Sequence, residues 1–185
     1  VLGVKAVIVM PEDAPASKKA ACKEYGAQIQ LAGFTSDDRR ARAHEIREKQ
    51  GFTIIEPFHD SRIIAGQGTL AMEILEDAPD VTTIVAPIGG GGLISGTCIA
   101  AKGINSDITI IGAEPKGADD AYQSLEKGEI IPQTNPRTIA DGLLTSLGEK
   151  TFPIIFKHVS KILTVSENEI IRAMKLIWER MNIII

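Results

Sequence analysis

Short apolar runs alternate with segments whose apolar residues recur at helical spacing. Residues 4–10 predict a strand, 16–25 a helix stopped by Gly26, 29–31 a short strand, and 36–50 a polar, charged helix with Gly51 behind it. Residues 53–55 predict another strand and 61–75 a helix whose start is weakened by Gly66 and Gly68. A strand at 83–86, a run of four glycines, a helix at 93–101 and a strand at 109–113 follow. Strand and helix alternating in this order predict an α/β fold, with twisted parallel sheets and helices on both faces.

Past Glu114 the alternation falters. Residues 119–127 predict a short helix, and the stretch PQTNPRT is turn-rich. Near the end Ser166 and Glu169 have capping-box spacing. The helix behind them carries Ile170, Met174, Ile177, Trp178 and Met181 on one stripe.

Composition narrows the function classes. The chain has 185 residues, of which 44% are hydrophobic and 24% charged, as in ordinary globular domains. A formal charge of −4 offers no basic footprint for nucleic acid or an anionic membrane surface, and no apolar run is long enough to span a bilayer. Cys22 and Cys98 lie far apart without metal-ligand spacing, so they read as reduced thiols of a cytoplasmic protein. The opening VLGVKAVIVM and the closing ERMNIII both look cut from something longer.

The chemistry concentrates in two stretches. Gly89, Gly90, Gly91 and Gly92 stand where a strand hands over to a helix, and there the first amide N–H groups lack helical partners. Glycines let a phosphate reach those donors, whereas a structural turn seldom needs four in a row. Leu93 and Ile94 replace the Lys-Ser/Thr pair of a Walker A loop, and no G-x-G-x-x-G register fits. Glu114, about twenty residues on, leaves a dinucleotide-type reading weakened but open. The second stretch is AEPKGADDAY, where Glu114, Asp119 and Asp120 could serve a hard cation. Residue types alone favour the plainer reading there, acidic residues decorating a helix N-terminus. His44, His59 and His158 share no spacing, and a solvated loop histidine is the simple reading of His59.

APIGGGGLISG resembles the phosphate-binding loop of the fold-type II pyridoxal-phosphate enzymes, in particular the serine racemase and threonine/serine dehydratase group. MPEDAPASKKAACKEYGAQI, IIAGQGTLAMEIL, AEPKGADDAYQSLEKG, TIADGL and ILTVSENEIIRAMKLIWERM resemble further stretches of that group, in its order. The resemblance implies part of the small domain over 1–58 and much of the large cofactor-binding domain over 59–185. It implies that the amides of Gly89, Gly90, Gly91, Gly92 and Leu93 hold the phosphate of pyridoxal 5'-phosphate, and that Gly142 lies against its ring. It assigns Glu114, the carbonyl of Ala118 and Asp120 to a divalent cation, Mg²⁺ or Ca²⁺, reversing the plainer reading.

The activity so implied is that of a threonine/serine dehydratase, an ammonia-lyase turning a β-hydroxy amino acid into a 2-oxo acid and ammonia. Serine racemase is the alternative, and a non-catalytic phosphate- or nucleotide-binding module the alternative of another class. The acidic motif leans toward racemases. Phe58, where eukaryotic serine racemases have asparagine, leans toward dehydratases. The group's Ser/Ala-Phe-Lys motif, whose lysine carries the cofactor, and its opposite-face serine do not occur in these residues. The resemblance therefore implies no catalytic residue in this chain and an inactive isolated 185-residue portion of a homodimeric, cytoplasmic enzyme.

Overall fold

The computed structural model describes residues 3–185. The chain divides into two compact units, Val1–Ile55 and Glu56–Ile185, each built on its own parallel sheet. The first two residues of the 1–58 portion lie outside the described ones, and Phe58 and His59 belong to the second unit.

In the first unit β1 (Val7–Met10) pairs with β2 (Gln28–Leu31), Val7 opposite Gln28 and Met10 opposite Leu31. Parallel pairing demands a crossover, which α1 (Ala16–Glu24) supplies. α2 (Ser36–Gln50) starts where the sequence puts it because Thr35 and Asp38 close a capping box: the Asp38 N–H donates to Thr35 Oγ1 at 3.1 Å and the Thr35 N–H to Asp38 Oδ2 at 3.0 Å. It stops at Gly51, whose φ of 72° is left-handed. The expected strand at 53–55 does not form. Those residues pair with nothing among the described ones, and Ile55 is 71% exposed. Three residues hold an extended pairing only where a neighbouring strand offers its free edge.

The second unit carries a sheet in the order β3-β4-β5, with β3 at Thr83–Pro87, β4 at Thr109–Pro115 and β5 at Lys161–Val165. Ile84 stands opposite Ile110, and Gly112 opposite Ile162. α3 (Ser61–Asp77) precedes β3, and α4 (Gly92–Ile104) makes the crossover to β4. α5 (Asp120–Lys127), a single 3₁₀ turn at Asp141–Leu143 and α6 (Phe152–His158) lead to β5. β5 and α6 are absent from the sequence expectation. β5 opens on Lys161 and Thr164 interrupts its apolar run, and α6 is only two turns long.

Ile88, Ile94, Ile108, Ile110 and Ile155 are fully buried in one core, each worth about 2–3 kcal/mol of apolar burial. On α4, Ile94, Cys98 and Ala101 follow helical spacing into it. Burial pushes the Cys98 thiol up to about 12, so it behaves as a small apolar group. α3 crosses α4 at Gly68 and Gly96: a Cβ on Gly96 would overlap Ile64 O and stand 2.6 Å from Gly68 N. The two glycines that weaken α3 as a helix in sequence thus include one that lets the helices touch.

α7 (Glu167–Met181) opens with the expected box, the Ser166 N–H donating to Glu169 Oε2 at 2.7 Å, and has no buried residue. No helix among the described residues is long and apolar enough to cross a membrane.

Candidate functional site

The carboxyl ends of parallel strands leave the chain free to turn above the sheet, and ligands of open α/β folds bind there. β3 ends at Pro87, Ile88 anchors the chain by donating to Ala113 O at 3.0 Å, and Gly89–Gly91 bridge to the first residue of α4. Gly90, Gly91 and Gly92 are buried. Among the described residues, nothing accepts a hydrogen bond from the N–H of Gly89, Gly90, Gly91, Gly92 or Leu93. Each buried amide left unpaired costs about 1–3 kcal/mol, so a row of them calls for an acceptor. The N-terminus of a 13-residue helix, where the dipole favours negative charge, suits an anion as that acceptor.

The glycines also have neighbours of their own. A Cβ on Gly89 would stand 2.9 Å from Gly142 O; one on Gly90 would overlap the Phe58 ring; one on Gly92 would meet Phe58 Cβ at 2.9 Å. Gly91 has a φ of 86°, and a Cβ there would meet both Thr151 Oγ1 and Ile155 Cδ1 at 2.8 Å. Three segments therefore close on the run: Phe58, the 3₁₀ turn at Asp141–Leu143, and the start of α6. The steric reading of the glycines does not compete with the anion reading. Sterics explains the missing side chains, and the unpaired amides point to the ligand.

Gly142 behaves differently. Its carbonyl touches the run, yet a Cβ on it would meet nothing within 4 Å. Protein packing thus does not require a glycine there, whereas a flat group laid against that backbone would.

At the end of β4, Glu114 and Asp120 are each 1% exposed. Glu114 accepts from the N–H of Ala121 at 3.2 Å and of Tyr122 at 2.8 Å, two of the free amides in the first turn of α5. The acid thus caps the helix that follows its own strand, as the plainer sequence reading holds. Asp120 Oδ2 accepts from Leu147 N–H at 2.9 Å, while Oδ1 is buried with no partner. Burial pushes the Glu114 carboxyl up to about 8, with the Asp120 charge adding to it, and burial pushes Asp120 up to about 6. A buried carboxylate oxygen without a donor, beside a second buried acid, is a donor set suited to a hard cation. No group of three or more His, Cys, Asp and Glu side chains gathers among the described residues.

His59 is half-buried beside Phe58, with Nδ1 facing the backbone of Gly148, rather than a freely solvated loop residue. Thr151 escaped the sequence reading altogether. It stands one residue before α6, where a threonine signals a helix cap, but its side chain makes no cap bond and turns to the glycine run instead.

Residues 1–185 match the family described as pyridoxal-phosphate dependent enzyme. The chain is 47% identical to the serine racemase of Dictyostelium discoideum, covering 98% of this chain and 57% of that protein. The solved structure of maize serine racemase superimposes with a TM-score of 0.95 at 42% identity, over 98% of this chain and 55% of the other. The T.th. threonine deaminase superimposes with a TM-score of 0.92 at 44% identity, over 98% of this chain and 60% of the other. The chain thus spans a little over half the length of the relatives it matches. The chain belongs to the pyridoxal-phosphate dependent enzymes.

Proposed function

We propose that the whole protein is a pyridoxal-phosphate dependent serine racemase, in which this chain supplies most of the cofactor's seat. The observation that carries the seat is the row of unpartnered amides from Gly89 to Leu93 at the start of α4. In this reading those amides hold the cofactor phosphate, Gly142 offers a bare backbone to the ring, and the Phe58 ring packs the far side of the loop against water. Glu114, the Ala118 carbonyl and Asp120 hold a divalent cation, which Asp120 Oδ1 favours by lacking any other partner. When bound, pyridoxal phosphate supplies an electron sink that acidifies the α-carbon of an amino acid. The residues of this chain orient that sink; none of them is assigned to proton transfer.

The choice of racemase over dehydratase rests on the relatives, with serine racemase at 47% identity and threonine deaminase at 44%. It sets the dehydratase expectation second. An ammonia-lyase remains the second reading because Phe58 is aromatic where the sequence resemblance associates aromatic residues with dehydratases. The deciding experiment supplies the full-length protein with pyridoxal phosphate, Mg²⁺ and L-serine, then measures D-serine by chiral chromatography and 2-oxo acid by reduction. D-serine as main product supports the racemase. Stoichiometric 2-oxo acid and ammonia without D-serine replaces it with the lyase.

A further inference from the structure

The peptide joining Gly90 to Gly91 lies in the middle of the unpartnered amides. In a planar trans peptide the carbonyl and the N–H point in opposite directions. Whatever holds the Gly90 oxygen therefore aims the Gly91 nitrogen.

That oxygen is held by Thr151, whose Oγ1 stands 2.7 Å away in a fully buried position. A hydroxyl has one proton to give. Thr151 Oγ1 accepts from the Gly148 N–H at 3.0 Å, and its own proton could go to Gly90 O at 2.7 Å or Gly148 O at 3.0 Å. Gly148 O already accepts from the N–H groups of Thr151 at 3.1 Å and Phe152 at 2.9 Å, whereas Gly90 O has no other donor among the described residues. The proton goes to Gly90. The chain of bonds then runs one way, from the Gly148 N–H through the Thr151 hydroxyl to Gly90 O. Ser95 ties the same residue from α4, donating from Oγ to Thr151 O at 3.4 Å.

We propose that Thr151 is a positioning residue for anion binding: its hydroxyl fixes the Gly90–Gly91 peptide so that the Gly91 N–H faces the phosphate. The left-handed backbone of Gly91 supports this, since Thr151 Oγ1 and Ile155 Cδ1 fill the space under that residue and leave its peptide one orientation. The inference rests on the reading of the glycine run as a phosphate cradle.

The test uses the full-length protein and two probes, pyridoxamine 5'-phosphate and pyridoxamine, neither of which has an aldehyde to react with a lysine. The ratio of their dissociation constants isolates the grip on phosphate. T151V keeps the shape and removes the hydroxyl; T151S keeps the hydroxyl. Loss of one aligned donor to a charged group corresponds to about a tenfold weaker grip. T151V is expected to cut the ratio about tenfold, to move the ³¹P resonance of the bound phosphate, and to leave pyridoxamine affinity unchanged; T151S stays close to the parent protein. A T151V protein with the parent's ratio and resonance overturns the proposal, as does a T151S protein that loses the ratio too. If T151V does not fold, T151A makes the same comparison without a donor, and an unchanged ratio there is equally fatal. A parent protein with no preference for the phosphorylated probe refutes the cradle itself, whatever Thr151 does.

Discussion

Gly91 and Gly142 border the same loop but are glycines for opposite reasons. Gly91 has a left-handed φ of 86° and no room for a Cβ, with Thr151 Oγ1 and Ile155 Cδ1 each at 2.8 Å. Gly142 has open space where a side chain would go. G91A is therefore expected to destabilise the fold by about 2–4 kcal/mol, from backbone strain plus overpacking. G142A is expected to melt within about 0.5 kcal/mol of the parent, as an unstrained surface change does, while weakening pyridoxal phosphate binding. Thermal melts with and without cofactor separate the two, and a G142A protein with full cofactor affinity removes Gly142 from the site. This scale also shows what sequence can disclose. Four adjacent glycines are visible as a pattern and their unpaired amides follow from standing at a helix start. Thr151 carries no such mark, because the Gly90 carbonyl its hydroxyl reaches is 61 residues away in sequence and only folding brings the two together.

At the scale of elements, α5 depends on an acid from outside it. Glu114 at the end of β4 caps the helix, and Asp120 opens it with one oxygen unsatisfied. Both carboxyls are raised by burial, Glu114 to about 8 and Asp120 to about 6, from ordinary values near 4. In the cation-free protein the folded state holds protons that the unfolded state has released between those limits. Stability from this pair is thus fully present below about pH 4 and is lost as pH rises toward 8. A divalent cation binds the ionised form, so it must restore more stability at high pH than at low. Ca²⁺ or Mg²⁺ is expected to raise the melting temperature more at pH 8 than at pH 5.5, and D120N to remove most of that gain. Equal gains at both pH values, or in D120N, would mean the cation acts elsewhere. The elements differ in how far the sequence discloses them. α2 and α7 are visible because the end of α2 and the start of α7 carry capping signals, Gly51 and Ser166 with Glu169, while the Thr35–Asp38 box at the start of α2 emerges only in the structure. β5 is hidden because its pairing with β4 is a long-range fact, and residues 53–55 mislead because their apolar character finds no partner strand.

At the scale of the whole molecule, the apolar surface is distributed unlike that of a self-sufficient domain. Ile171, Met174, Leu176, Trp178 and Met181 on α7 are all exposed, Trp178 by 62%. On the sheet, Ile84, Ala86, Ile110 and Ile162 face the core, while the alternating positions Val85 and Leu163 stand 59% and 46% open. Both surfaces belong to formed elements, α7 with a cap at each end and β3 and β5 each paired with β4, so their exposure is not a sign of local unfolding. Exposed apolar surface on this scale marks contact sites or drives association. The 185-residue chain in isolation is therefore expected to bind a dye such as ANS while keeping its folded circular dichroism. It is also expected to associate as its concentration rises. Trp178 is the one tryptophan in the sequence, so its fluorescence reports on α7 alone. Its emission should be solvent-like and readily quenched by acrylamide in dilute solution, then shift to the blue as the chain associates. M174E places a charge on the exposed stripe without touching the core, and should suppress association with little change in melting temperature. A chain that stays monomeric at high concentration with Trp178 already shielded would show instead that α7 folds back onto residues of its own unit, and the open faces would then need another account.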